Sequence, residues 1–204
     1  MTKSTLRNTI IVLSLVAASI TLMVTATRSY NELQWSDEQA NTRWAQVVNQ
    51  YQRRADLVPN LVRVVQAYAK YERNLFEEIA RARTAAMGLK PTLDLPKDPQ
   101  RLAEYQAAQD RMGNVLTRML LMVERYPELR SNEAFLGLQA QLEGTENRIT
   151  YARDKYIRAV NDFNVLVRTI PSSLVASQID YQVRPSFTLS ERYSTADSPP
   201  EIKL

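Results

Sequence analysis

The chain of 204 residues contains no cysteine and no histidine. Without cysteine it has no disulfide, no thiolate nucleophile and no sulfur-based metal site, and it suits a reducing or an oxidising compartment equally. Without histidine it lacks the commonest general base and the commonest transition-metal ligand. Glycine is scarce as well, at four residues, and the wealth of Ala, Leu, Arg, Glu and Gln favours helix over sheet. A strong excess of one charge is also missing. The formal net charge is +4, but Lys3, Arg7 and Arg28 flank an apolar stretch, and the other basic residues are interspersed with Glu and Asp. A polyanion-binding face needs clustered Lys and Arg, so nucleic acid is not an expected partner.

What is present is one long uncharged run and several helical stripes. Residues 8–27 carry no charge over 20 positions, enough at about 1.5 Å per residue to cross a hydrocarbon core of roughly 30 Å. Residues 1–28 are read as a membrane anchor with a single transmembrane helix at about 8–27. The competing reading is a cleaved signal peptide, because Val24-Thr25-Ala26 resembles a small-residue cleavage site, but the run is long for that role. Lys3, Arg7 and the free amine outweigh Arg28 and Arg43 in the positive-inside balance. The expected location is the inner (cytoplasmic) membrane, single-pass, with the body outside the cytoplasm; a cytoplasmic body stays open.

The body, residues 29–170, is organised around one stripe. Phe135, Leu138, Leu142, Thr145, Ile149, Ala152, Tyr156, Ala159, Phe163, Leu166 and Ile170 alternate in steps of three and four, and only Thr145 is not apolar. This is a coiled-coil-like seam about ten turns long, capped at its start by Ser131 and stopped by Pro171. Similar lines run through Ala40, Trp44, Val47 and Tyr51, through Leu61, Val65, Tyr68, Leu75, Ile79, Ala82 and Ala86, and through Tyr105, Ala108, Met112, Val115, Met119, Met122 and Tyr126. The methionines read as core filler. Pro91, Pro96 and Pro99 mark a loop. The expected architecture is all-α: an N-terminal single transmembrane helix, an antiparallel four-helix bundle, and an extended, partly disordered C-terminal tail over 171–204. Proline inside a helix removes a hydrogen bond and clashes with the preceding turn. Asp56 as N-cap would place Pro59 in a first turn, so a tight reversal, with a kink as the alternative, is expected there.

Tyr30-Asn31-Glu32-Leu33, Trp44-Ala45, the run Gln52-Arg53-Arg54-Ala55-Asp56-Leu57-Val58-Pro59-Asn60-Leu61-Val62, Tyr68-Ala69 and Ala80-Arg81-Ala82-Arg83 form one block. Glu124-Arg125-Tyr126-Pro127-Glu128-Leu129, Leu142-Glu143-Gly144-Thr145-Glu146-Asn147-Arg148-Ile149 and Phe163-Asn164 form a second. Together, from about Tyr30 to Pro171, they resemble the LemA family. The resemblance implies a bacterial envelope protein with an N-terminal anchor, a helical-bundle body and no established catalytic activity. Some members carry a lipoprotein cysteine where this chain has its uncharged run, and the family often has His where this chain has Tyr71, beside Glu72. A metal or proton-transfer role at that position is therefore not expected here.

The densest polar group is Arg53, Arg54, Asp56, Pro59 and Asn60. It reads either as a recognition surface for an anionic partner or, more economically, as a capped structural turn. Glu72 falls on the inner line of its helix as a buried polar residue, where it would need a basic partner such as Arg43, Arg148 or Arg153. Glu143, Glu146, Asn147 and Arg148 fit a solvated helix face better than a di-metal centre, which would use Glu-x-x-His pairs. No catalytic, cofactor-binding or metal site is expected. The expected function is a non-enzymatic, membrane-anchored scaffold or adaptor of the cell envelope, whose partners are the membrane and other envelope proteins, with homo-oligomerisation left open. The alternatives are an enzyme accessory or weak hydrolase using Glu72 and the Arg53/Arg54 cluster, and a protein that binds or shapes membrane.

Overall fold

The computed structural model describes residues 3–187. Among these residues there are six α-helices, one short 3-10 turn and no strand. The helices are α1 (Lys3–Tyr68), α2 (Arg73–Gly88), α3 (Pro99–Val123), α4 (Pro127–Arg130), α5 (Glu133–Arg168) and α6 (Ser172–Gln178). Two compact units are formed, one drawn from Met1–Ala40 and Ala159–Val183, the other from Asn41–Arg158 and Arg184–Leu204.

In the first unit, the uncharged run lies within α1 and is exposed along its length. It is long and apolar enough to cross a membrane. Beyond it, Ser29, Leu33, Ser36 and Ala40 turn inward and are buried. Tyr181 donates from its hydroxyl to Gln34 Oε1 at 3.0 Å, and its ring centroid lies 5.6 Å from that of Phe163.

The second unit is an antiparallel four-helix bundle of α1, α2, α3 and α5. Its core joins Ala55, Val58, Leu61 and Val65 of α1 with Phe76, Ile79, Ala82 and Ala86 of α2. Met112, Val115, Leu116, Met119, Met122 and Val123 of α3 and Phe135 and Leu142 of α5 complete it. Apolar area removed from water, at about 25 cal/mol per Å2, is what holds such stripes together. The ends are capped locally. Asp98 accepts from the amides of Gln100 and Arg101, with Pro99 in the first turn of α3. Asn132, rather than the expected Ser131, caps α5 by accepting from Phe135 N at 3.0 Å.

The expected reversal between Asp56 and Pro59 does not occur. α1 continues through Pro59 to Tyr68, and the chain turns at residues 69–72, where Glu72 N reaches Ala69 O at 3.3 Å. The physical reason is visible one turn before the proline. Pro59 has no amide hydrogen to give Ala55 O, and Arg83 of α2 supplies the missing donor, its Nε lying 3.0 Å from that carbonyl. Val58, Leu61 and Val65 meanwhile stay in the core at 2% exposure or less.

Two further expectations are corrected. The seam of α5 holds from Phe135 to Phe163, but Val160 takes the inner position expected of Ala159, and Ile170 is 81% exposed. A straight α-helix drifts by about 20° per heptad against a strict seven-residue repeat, which moves the inner position to Val160, and α5 ends at Arg168, so Ile170 stands in the turn beyond it. The tail does not begin extended at Pro171. It first forms α6, with Ser172 and Ala176 buried and Leu174 exposed, and is extended only over residues 181–187. The part expected to fray falls within 188–204, outside the described residues.

Candidate functional site

The centre of the bundle contains a polar layer built by interruptions in its apolar seams. On α1 the buried line Trp44, Val47, Tyr51, Arg54, Val58, Leu61 and Val65 keeps the three-four spacing, with Arg54 as its one charged residue. On α3 the line Leu102, Tyr105, Gln109, Met112, Leu116, Met119 and Val123 is interrupted by Gln109. These two residues meet. Arg54 Nη2 donates to the backbone oxygen and to Oε1 of Gln109, both at 2.8 Å. Arg54 Nη1 donates to Glu146 of α5 at 3.2 and 3.4 Å. Gln109 Nε2 in turn reaches Ala86 O of α2 at 3.4 Å, so all four helices share the network.

The guanidinium suits this position because its planar fork can satisfy several acceptors at once while its face stacks on an aromatic ring. It lies 5.1 Å from the centroid of Tyr51. Gly113 makes the room: a Cβ there would stand 3.3 Å from Arg54 Nη1. Arg54 is 3% exposed, and its Nε is buried with no hydrogen-bond partner among the described residues.

Beside this layer a cavity of about 620 Å3 opens between α3 and α5. Its walls carry a matched pair of polar steps, Asn114 and Thr117 on α3 and Asn147 and Thr150 on α5, with Arg54 and Tyr51 among its lining and Phe187 at one end. Among the described residues its charged groups are paired except Glu143, which accepts from Gln139 Nε2 at 2.9 Å. Arg153 lies 3.6 Å from Asp110 and 4.6 Å from the centroid of Phe187, and Arg158 bonds Asp154 at 3.0 Å. Burial pushes the Tyr51 phenol up, with Arg153 and Arg54 pulling it partly back. Burial, followed by the neighbouring Tyr51, raises Tyr105 as well. Both phenols therefore stay protonated at neutral pH and are not nucleophiles. Among the described residues, no three acidic, His or Cys side chains gather as a metal site would require.

An aromatic cluster adjoins the cavity. Trp44 packs on Tyr105 and Tyr156 with centroids 5.4 and 5.5 Å apart, and Phe187 closes on Tyr156 at 5.4 Å. Trp44 Nε1 donates to Thr92 O at 3.2 Å, which ties the proline-rich connection to the bundle.

The structure does not gather the polar group expected at the turn. Arg54 enters the core, while Arg53, Asp56, Pro59 and Asn60 are exposed, because successive residues of a continuous helix point about 100° apart. Glu72 is also displaced from its expected place. It precedes α2 instead of lying inside it, is half-buried, and accepts from Arg125 Nη2 at 2.8 Å and from the Tyr126 hydroxyl at 3.2 Å. None of the three expected partners takes it: Arg43 bonds Gln46, Arg148 bonds Thr145, and Arg153 meets Asp110. Gln109, Gly113 and Asp110 were not singled out by the sequence, and Arg153 only as a candidate partner of Glu72. The signal for Gln109 and Arg54 was available in the continuation of the seams past Tyr51 and Tyr105.

A family model described as LemA family matches residues 43–204. The chain is also similar to magnetosome proteins MamQ 1 and MamQ 2 of Paramagnetospirillum magneticum and to magnetosome protein MamQ of Magnetospirillum gryphiswaldense. Each is 24% identical over 181 residues, covering 81% of this chain and 65% of the relative. The chain thus spans slightly less than two thirds of the length of these relatives.

Proposed function

Because the chain belongs to the LemA family, we propose that it is a non-enzymatic, membrane-anchored scaffold or adaptor of the bacterial cell envelope, tethered by α1 and engaging partner proteins through the cleft between α3 and α5. One observation carries the reading. The cleft is large and lined by hydrogen-bonding side chains from both walls, yet Arg54, Asp110, Glu146, Arg153 and Asp154 are committed to ion pairs, and Glu143 accepts from Gln139 at 2.9 Å. Catalysis needs a base, acid or nucleophile whose pKa is tuned to its task and which stands free to act. Here Asp110, Glu146 and Asp154 neutralise arginines, Glu143 is held by Gln139, and the phenols are held protonated. The Asn side chains and the Thr hydroxyl oxygens on two facing helices suit the backbone of an extended segment instead, and Glu143, which no arginine among the described residues neutralises, favours one that carries a basic side chain. The likeness to proteins named for the magnetosome supports a membrane setting.

The test combines topology with capture. Spheroplasts of cells expressing the tagged chain are treated with protease, and cross-linked partners are purified from a parallel sample. Digestion of the body while a cytoplasmic control survives, with envelope proteins in the captured sample, is the expected result. Protection of the body would overturn the extracytoplasmic placement, and capture of lipid without protein would overturn the adaptor role.

A further inference from the structure

The corner between α5 and α6 presents apolar side chains that the unit around it does not cover. Ile170 is 81% exposed and Leu174 65%, although α6 does pack, burying Ser172 and Ala176 on its other side. The corner is firmly built: Ser172 Oγ donates to Leu166 O at 2.8 Å and to Thr169 O at 3.0 Å. Two apolar side chains held outward on an ordered corner call for a specific surrounding.

Its height along α1 says which. Tyr181 touches both Gln34 and Phe163, so these two residues stand at one level. From Phe163 to its end at Arg168 the antiparallel α5 rises about 7.5 Å, which on α1 leads from Gln34 back to Ser29; Ile170 lies in the turn just beyond, next to Thr27, the last residue of the uncharged run. Ser29 agrees: it is 4% exposed, and within this unit residues 159–183 are the segment available to cover it. The apolar corner therefore stands beside the end of the stretch that spans the bilayer. Arg28 and Arg168, both exposed, lie within two residues of that end and of Ile170, where basic side chains meet lipid phosphates. Tyr30, 43% exposed, occupies the interfacial zone where aromatic rings collect.

We infer that the α5–α6 corner is a second membrane contact, with Ile170 and Leu174 seated at the boundary of headgroups and acyl chains on the side of the body. The surface it fits is a lipid bilayer, and it gives this unit a second point of attachment beside α1. The inference rests on α1 as a membrane-spanning helix, so the experiment reads the two separately.

The natural chain has no cysteine, so single-cysteine variants need no background removal. Leu15→Cys, Ile170→Cys, Leu174→Cys and Tyr71→Cys of the full chain are labelled with an environment-sensitive fluorophore and reconstituted into vesicles of phosphatidylcholine and phosphatidylglycerol. Lipids spin-labelled at shallow or deep acyl positions, and aqueous iodide, serve as quenchers. The expected result is deep-lipid quenching at position 15, blue-shifted emission with shallow-lipid quenching and several-fold weaker iodide quenching at 170 and 174, and free access of iodide at 71. Lipid quenching at 15 with open iodide access at 170 and 174 would overturn the second contact while leaving the anchor standing. Protection at 170 and 174 without lipid quenching would mean a protein cover and would overturn it too. No lipid quenching at 15 would remove the anchor, and the inference with it.

Discussion

The unbroken course of α1 through Pro59 depends on a side chain from another helix, and this dependence can be measured. Arg83 Nε stands 3.0 Å from Ala55 O, the carbonyl that a residue with an amide hydrogen at position 59 would have satisfied. Replacing Arg83 with Met keeps most of the stem and removes the donor. A hydrogen bond involving a charged group contributes about 1.5–3 kcal/mol, and since Arg83 is half-buried the lower part of that range applies, about 1–2 kcal/mol. Pro59→Ala restores the amide, so the helix supplies its own donor. In that background Arg83→Met is expected to cost less than about 0.5 kcal/mol, leaving a coupling energy of about 1 kcal/mol. Urea unfolding of the full chain in detergent, followed by circular dichroism for the wild type, both single variants and the double variant, yields the cycle directly. Equal costs of Arg83→Met with and without Pro59 would refute the reasoning.

Other consequences concern the polar layer and the buried phenols. Arg54→Met strips Gln109 of its donor and leaves Glu146 unpaired; because Glu146 is 43% exposed and can rehydrate, the loss is about 2–3 kcal/mol instead of that of a fully buried pair, whereas Glu146→Gln costs under about 1 kcal/mol, both read by the same unfolding assay. Gly137→Ala, with nothing within 4 Å of the new methyl, is expected to stabilise by about 0.5–1 kcal/mol through helix propensity; Gly113→Ala, crowded by Arg54 at 3.3 Å, should lose that gain. Burial pushes the Tyr156 phenol up to about 12, against a small opposing effect of Arg184. A raised phenol favours the folded state below its unfolded value near 10 and ceases to do so as pH rises through its folded value, so stability should fall between about pH 10 and 12 by roughly 2 kcal/mol. Tyr156→Phe, which removes a hydroxyl buried without a partner among the described residues, should be neutral or stabilising at pH 7 and remove its share of that alkaline slope, leaving the part due to Tyr51 and Tyr105.

Much of the helical order was legible because it rests on periodicity and on proline and glycine as stops. The three-four stripes located the inner faces of α3 and α5, and Pro171 fell just past the end of α5, whereas α3 ends at Val123 and Pro127 opens α4. What the sequence misled on has one kind of cause, compensation from afar. Pro59 reads as a break until a donor 24 positions later is brought to its orphaned carbonyl. Ile170 fits the repeat, but the helix ends two residues before it, at Arg168. Glu72 appears internal only if helix continues across residues 69–72. Arg54 drew notice as part of a surface cluster, whereas its spacing from Tyr51 and Val58 already assigned it to the seam. A charged residue at a seam position announces a partner in another helix, yet which partner depends on the relative heights of α1, α3 and α5, and no local pattern contains those. The cleft was illegible for the same reason, since Asn114 and Asn147 face one space only after the bundle has closed.

The most direct test of the central claim is site-specific photocross-linking in living cells, with a benzophenone amino acid placed at Asn147 inside the cleft and, separately, at Tyr71, which is 96% exposed in the turn before α2. The adaptor reading predicts discrete protein adducts from Asn147 that are absent from Tyr71. Adducts of the same proteins at both positions, or none at Asn147, would contradict it.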